Sequence, residues 1–325
     1  MPNLLHIASG MLVLACALLP PGADAQTFPS RPIRLIVPTA PGPGVDLVGR
    51  QIGHKLAEDL GQPVLVENRP GASGIIGAEH VVRSPADGHT ILLATPSMVV
   101  TVVYLMKNLP FDPVKDLAPI TAAVEPATAI VVNPSVPANN VKELIDWVKG
   151  NPGKVSYGSA GVGSVFHMVG ELFNQAAGTD MAHVPYKSVP PSVAGVIAGE
   201  VQVTYSAMTS VLPHQRAGKL RILAVLERDR FSRLPDIPTV GETLSGFEKP
   251  PSWFGFFTPS ATPQAVVRRL NAGIVKALNA PDLRNAFEEQ ALTVIGNTPE
   301  QFAAMMRSSF QVYEKAIKVA GLKPE

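Results

Sequence analysis

RLIVPTAPGPGVDLVGRQIG, residues 34–53, holds the junction that decides the fold. Leu35-Ile36-Val37 is an apolar, β-rich run, and it meets a segment, residues 38–44, with three prolines and two glycines. Beyond it Val45, Val48, Ile52, Leu56 and Leu60 recur every three or four residues, the stripe of an amphipathic helix. A strand that breaks into a stiff open loop and restarts as a helix leaves the first amide N–H groups of that helix without internal partners. Those N–H groups carry a partial positive charge, so the junction suits an anion. Gly42 and Gly44 allow a ligand to approach the backbone closely. The plainer alternative is a turn in which Asp46 only caps the helix.

The same grammar recurs about 120 residues on. A strand, KVSY, runs into the Gly-rich loop Tyr157-Gly-Ser-Ala-Gly-Val-Gly-Ser-Val-Phe-His167, and a helix follows with Ser164 as its expected N-cap. The glycines give G-x-x-G-x-G, which is not the dinucleotide fingerprint, and no Gly-Lys-Ser/Thr marks a phosphate loop. His167 falls about one turn into the helix, facing either the loop or the core. Two such loops in two domains, facing each other, would clamp a small anion from both sides, and ligand sites favour domain interfaces.

Between and beyond these loops strand-like segments (QPVLVEN, HTILLATP, AIVVNP, VQVTYSA, LRILAVLE) alternate with helix-like ones. NNVKELIDWVKGNPG has Asn at its start, Lys near its end and Pro-Gly beyond. The last stretch is helical, with Thr-Pro openings. Strands spaced by helices predict βαβ units in an α/β fold with mostly parallel sheets, which bind ligands at the carboxyl ends of their strands.

The chain has 325 residues, which favours two domains, and it is 46% hydrophobic and 16% charged, as a folding globular chain is. A net charge of +1 without any basic run argues against nucleic-acid binding. Residues 1–25 read as a secretory signal. IASGMLVLACALL is 13 residues, too short to span a bilayer, and Ala23 and Ala25 stand at the small positions of a cleavage site before Gln26. The n-region lacks Lys and Arg. A lipoprotein anchored at Cys16 is the weaker alternative. Cys16 is the only cysteine, so a chain starting at Gln26 has no disulfide, thiol nucleophile or cysteine metal site. No G-x-S-x-G or H-E-x-x-H is present. NRPGASG (68–74) is turn-rich without a nucleophile's context. Glu288-Glu289 reads as a solvated helix face, and Trp253 as a pocket or hinge-side core residue.

FPSRPIRLIVPTAPG, LGQPVLVENRPGASG, PADGHTILLAT, FDPVKDLAPIT, NPGKVSYGSAGVGSVFH, HVPYK, PHQRAGKLRILAV, RLPDIPTVGE and TPEQFAAMMR stand in that order along the chain. By these motifs, over essentially its whole length after residue 25, the chain resembles the Bug-type periplasmic solute receptors, the substrate-binding proteins of tripartite tricarboxylate transporters. The resemblance implies a two-domain Venus flytrap of the type II periplasmic-binding class, with lobes at 26–125 plus 228–325 and at 126–227. It implies a monomeric receptor that captures a small carboxylate for a membrane permease, with no cofactor, metal or catalytic residue. By position it points to Thr39, Pro41, Gly42, Gly44 and Asp46, to Ser159, Ala160, Gly161, Gly163, Ser164 and His167, and to Tyr186 and Ser206 as ligand-binding residues.

The sequence also departs from the family pattern. Pro43 stands where relatives usually have Gly and removes an N–H donor, and Val45 removes a hydroxyl. HVPYK continues Ser188-Val189-Pro190 instead of Gly-Ser. Ser206 stands where many relatives have Asp, which leans towards an aliphatic or aromatic carboxylate over an amino acid. The alternatives are an exported α/β hydrolase-like enzyme and a receptor that serves a two-component sensor.

Overall fold

The computed structural model describes residues 28–42 and 44–324. The signal segment, Cys16 and Pro43 lie outside the described residues.

In chain order the elements are β1 (Ile33–Val37), α1 (Val45–Leu60), β2 (Val64–Asn68), α2 (Ile75–Val82), β3 (Thr90–Ala94), α3 (Val102–Leu105), β4 (Leu117–Pro126), β5 (Thr128–Val132), α4 (Val141–Lys149), β6 (Ser156–Ser159), α5 (Val165–Ala177), β7 (Ala182–Pro185), α6 (Val189–Ala198), β8 (Val203–Ala207), α7 (Met208–Arg216), β9 (Arg221–Val225), β10 (Phe254–Pro259), α8 (Gln264–Leu278), α9 (Pro281–Glu289), β11 (Leu292–Val294) and α10 (Pro299–Val319). A 3-10 turn, Ala72–Gly74, precedes α2, and a π-helical turn, Ser97–Thr101, precedes α3.

The strands form two sheets, ordered β11-β4-β10-β3-β1-β2 and β7-β6-β8-β5-β9. Both are covered on two faces. In β1, Ile33, Leu35 and Val37 join Val48, Ile52 and Leu56 of α1, while Ile36 turns to the opposite core with Leu92 and Trp253. In β5, Ile130 and Val132 pack with α4 and α5, and Ala129 and Val131 with α6 and α7. Two-sided burial explains why these strands read as unbroken apolar runs.

The expectation of mostly parallel sheets needs correction, because the sheets are mixed. β1 is parallel to β2 and β3, and β6 to β7 and β8. β10 and β11, and β5 against β8 and β9, are antiparallel. These reversed strands belong to the crossings between sheets. β4 ends at Pro126 and β5 starts at Thr128, so one residue, Ala127, carries the chain from the first sheet to the second. The chain returns after β9 and re-enters the first sheet at β10.

Parallel pairing fixes where the loops gather. Val37 is level with Asn68, and Ile36 with Leu92, so β1, β2 and β3 end at one edge. Ser159 is level with Pro185, and Gly158 with Thr204, so β6, β7 and β8 do the same in the second sheet. Each of these ends leads into a helix, directly from β8 and through a turn from the others.

Candidate functional site

The first loop, residues 38–44, follows β1. Gly42 and Gly44 have φ of 148° and 86°, a region that favours glycine, and a Cβ on either would meet nothing within 4 Å. The backbone therefore presents an open face. No side chain caps α1, whose cap position is Gly44. Asp46 instead organises the loop from inside. It is 3% exposed, and its carboxylate accepts from the Gly42 amide at 3.0 Å, from Arg50 Nε at 3.1 Å and from Asn68 Nδ2 at 2.8 Å. Asn68 Nδ2 also reaches the Thr39 carbonyl at 3.0 Å, and Asn68 Oδ1 accepts from Arg50 Nη2 at 2.8 Å. Burial pushes the Asp46 carboxyl up, but the bonds from Arg50, Asn68 and the Gly42 amide outweigh it and hold the group below its ordinary value. Asp46 thus shapes the loop and does not face outward as a free anion. Pro41 and Ala40 are exposed on the same loop.

The second loop, residues 160–164, follows β6. Gly161 and Gly163 have φ of 116° and 74°. Ser159 Oγ accepts from the Gly161 amide at 3.1 Å and lies 2.7 Å from His183 Nε2. Ser164 caps α5, its Oγ accepting from the His167 amide at 3.2 Å. His167 Nδ1 accepts from the Gly163 amide at 3.2 Å, which makes the ring neutral with its proton on Nε2. Its ring stacks on His183, centroids 3.7 Å apart and planes 8° from parallel. Burial pulls His167 down to about 4. Burial, with His167 beside it, does the same to His183. Ala160 is half-buried at the start of the turn, and Val162 at its tip is exposed.

The structure brings the two loops to the carboxyl edges of their sheets, and it shows where the sheets meet. A Cβ on Gly163 would collide with Leu105 Cδ1 and lie 3.7 Å from Thr101 Cγ2, so this glycine lets the second loop close onto α3 of the first sheet. Met168 of α5 is buried in the core of the first sheet beside Val102 and Phe111.

Two of the thirteen expected positions sit apart from the loop surfaces. The Tyr186 ring lies against Gly158 and Gly195, and its hydroxyl donates to Glu200 at 3.1 Å. Its main chain stays with the loop, since the Tyr186 carbonyl would lie 3.2 Å from a Cβ on Gly161. Ser206, two residues beyond the Gly158–Thr204 pair, is 1% exposed with no hydrogen-bond partner for Oγ among the described residues. Trp253 is core, donating through Nε1 to Ser309 at 3.1 Å and packed edge-on against Phe302. Glu288 pairs with Arg233 at 2.8 Å.

Sequence reasoning did not single out Arg50, Asn68 or His183. Only the parallel β6–β7 pairing, which sets Tyr157 beside His183, brings His183 to the loop, and no local signal shows that. The 68–74 stretch carries more than turn propensity. Ala72 and Ser73 hold φ of 45° and 55°, unusual for non-glycine residues, at the edge shared with the first loop. Among the described residues no three His, Cys, Asp or Glu side chains gather into a metal-binding group. Two open hollows, of about 410 and 560 Å³, lie around Phe28, Asp87 and His89 and around Thr209, Arg216 and Arg233, and neither includes a loop residue.

Two α/β sheets joined by crossings, each with a glycine loop at a carboxyl edge, define a bilobed periplasmic-binding fold of the Venus-flytrap type. Within that class the chain belongs to the tripartite tricarboxylate transporter family receptors, whose model matches residues 48–322. It is a solute-binding receptor of the Bug type. It is 36% identical over 323 residues to the UPF0065 protein in the tcbD-tcbE intergenic region of Pseudomonas sp. (strain P51), covering 97% of this chain and 96% of that one. Among solved structures it is similar to a periplasmic transporter at 38% identity and a TM-score of 0.84, covering 91% of this chain and 99% of the other. It is also similar to Rpa4515 of R. palustris with adipate, at 30% identity and a TM-score of 0.86, covering 92% and 100%.

Proposed function

We propose that this receptor captures a small carboxylate between the 38–44 and 160–164 loops and delivers it, in the periplasm, to the permease of a tripartite tricarboxylate transporter. The observation that carries the reading is the pair of glycine loops with positive φ at the two carboxyl edges, each opening a helix. The structural relative that holds adipate supports the ligand class. The lobes are residues 26–125 with 228–325, and 126–227. The single-residue crossing at Ala127 and the return of the chain to the first sheet at β10 support that division. Thr39, Pro41, Gly42 and Gly44 would meet the solute from one lobe, and Ala160, Gly161, Gly163 and Ser164 from the other. Asp46, Ser159 and His167 would act from behind, by holding the amides in place. Tyr186 would contribute through its main chain, and Ser206 as part of the pocket floor. Residues 1–25 would direct export and be removed after Ala25. The protein binds and releases, without chemistry.

The test is thermal unfolding of the chain from Gln26 across mono-, di- and tricarboxylates, benzoate-type acids and amino acids. A ligand at about a hundred times its dissociation constant adds roughly 2.7 kcal/mol, a shift of several degrees. The expected result is a shift with one class of carboxylate and no turnover. Product formation from the stabilising acid would favour the enzyme alternative.

A further inference from the structure

The two loops use several of their own donors to hold themselves in shape. The Gly42 amide goes to Asp46, the Gly161 amide to Ser159 Oγ, the Gly163 amide to His167 Nδ1 and the Ser164 amide to the Gly161 carbonyl. Pro43 has no N–H to give. A carboxylate only accepts, so a solute of that class needs further donors beside the loops.

Thr101, outside the thirteen expected positions, carries a free one. It closes the π-helical turn Ser97–Thr101, which follows β3 at the carboxyl edge of the first sheet. Its Cγ2 would lie 3.7 Å from a Cβ on Gly163, and Oγ1 stands on the same Cβ as that methyl group. The hydroxyl therefore sits at the seam between the second loop and the first sheet. Thr101 is 2% exposed. A threonine in a helical turn can return its hydroxyl to a carbonyl one turn back, yet Thr101 Oγ1 has no hydrogen-bond partner among the described residues. Buried hydroxyls left unpaired are few in folded proteins, because each lowers stability. Ser206 Oγ, near the carboxyl end of β8, is the counterpart in the second sheet, 1% exposed and also unpaired among the described residues.

We infer that Thr101 contacts the solute: its Oγ1 donates to a carboxylate oxygen that lies on the 160–164 loop, so the first lobe grips the group that the second lobe holds. The inference rests on the carboxylate reading above and adds to it a side-chain donor from the turn between β3 and α3. The hydroxyl is a burden to the empty receptor and a bond in the loaded one. A threonine that served only the fold would show the opposite, with its hydroxyl already paired inside the protein.

The test compares three forms of the chain from Gln26: the parent, Thr101→Val and Thr101→Ser. Valine keeps the shape and removes the hydroxyl, whereas serine keeps the hydroxyl. Calorimetric titration with hexanoate, glutarate, citrate and benzoate identifies the tightest of these acids for the parent, and that acid is then titrated into both variants. The expected result is binding weaker by about tenfold or more in Thr101→Val and within about threefold of the parent in Thr101→Ser. Without ligand, Thr101→Val should melt at or above the temperature of the parent, since it loses an unpaired buried hydroxyl. A lower melting temperature for Thr101→Val would overturn the inference, because the hydroxyl would then serve the fold. Undiminished affinity in that variant would also overturn it, while the carboxylate reading would stand on the binding by the parent. Absence of binding by every acid in the parent would remove both.

Discussion

His167 and His183 stack ring on ring beneath the second loop, and each holds one of its turns. His167 takes the Gly163 amide, and His183 meets the hydroxyl that takes the Gly161 amide. The charged groups near the pair are few. Glu171 lies 3.9 Å from His167 Nε2 and accepts the Tyr157 hydroxyl at 2.7 Å, and burial with Glu171 beside it pushes that phenol up. Both rings are pulled from the ordinary 6.5 down to about 4. The unfolded chain takes up protons between those values and the folded one does not, so stability is complete above about pH 6.5 and falls as pH drops through this window. The loss is on the order of a few kcal/mol for the pair. Denaturant titrations at pH 7.5, 6, 5 and 4 check this, with His183→Gln expected to flatten roughly half of the slope. An unchanged acid slope in that variant would show that the pair is not its source.

At the scale of elements, the crossings between sheets hold the next prediction. Glu227 accepts the Thr128 amide at 3.0 Å, at the first residue of β5. Lys249, on the return crossing, lies 2.8 Å from Glu125 and 3.3 Å from Glu227, with its side chain 7% exposed. Burial raises the Glu227 carboxyl against the pull of Lys249. Lys249→Met removes the cation that two half-buried carboxyl groups share, which costs about 1–3 kcal/mol. The denaturant midpoint should fall accordingly, and a variant as stable as the parent would rule out this junction as a point of strength.

The elements also show what the sequence could carry. The α1 stripe and the Asn140 and Ser164 caps read directly, because each is a local signal. β4 and β10 escaped, since LAPITAAVEP contains internal proline and FGFFTP an early glycine, both of which weaken a strand reading. α6 starts with Pro190-Pro191, and α7 contains Pro213. The antiparallel strands were illegible because direction depends on crossings and not on composition. In the site, glycine spacing marked both loops. The Asp46–Asn68–Arg50 cluster and the His183 stack depend on pairing between strands, which a linear pattern does not display.

At the scale of the whole molecule, the two sheets are tied by Ala127, by the return crossing and by Met168 of α5 set into the first core. Gly163 against Leu105 and Thr101 brings the second loop onto the first sheet's helical turn. A solute between the loops would sit on a loop backbone already fixed by Asp46, Ser159 and His167, so little ordering remains to oppose binding. Hinge motion about the crossings would admit and release it.

The most direct measurement is a calorimetric titration of the best-stabilising carboxylate into the parent chain and into Gly42→Leu. A Cβ at Gly42 meets nothing within 4 Å, so a side chain there starts into the open face where the solute is placed. The account predicts one site per chain in the parent, a loss of about a hundredfold or more in the variant, and an unliganded variant that still unfolds cooperatively. Equal affinity in the two proteins would contradict the account, because it would put the carboxylate somewhere other than the 38–44 loop.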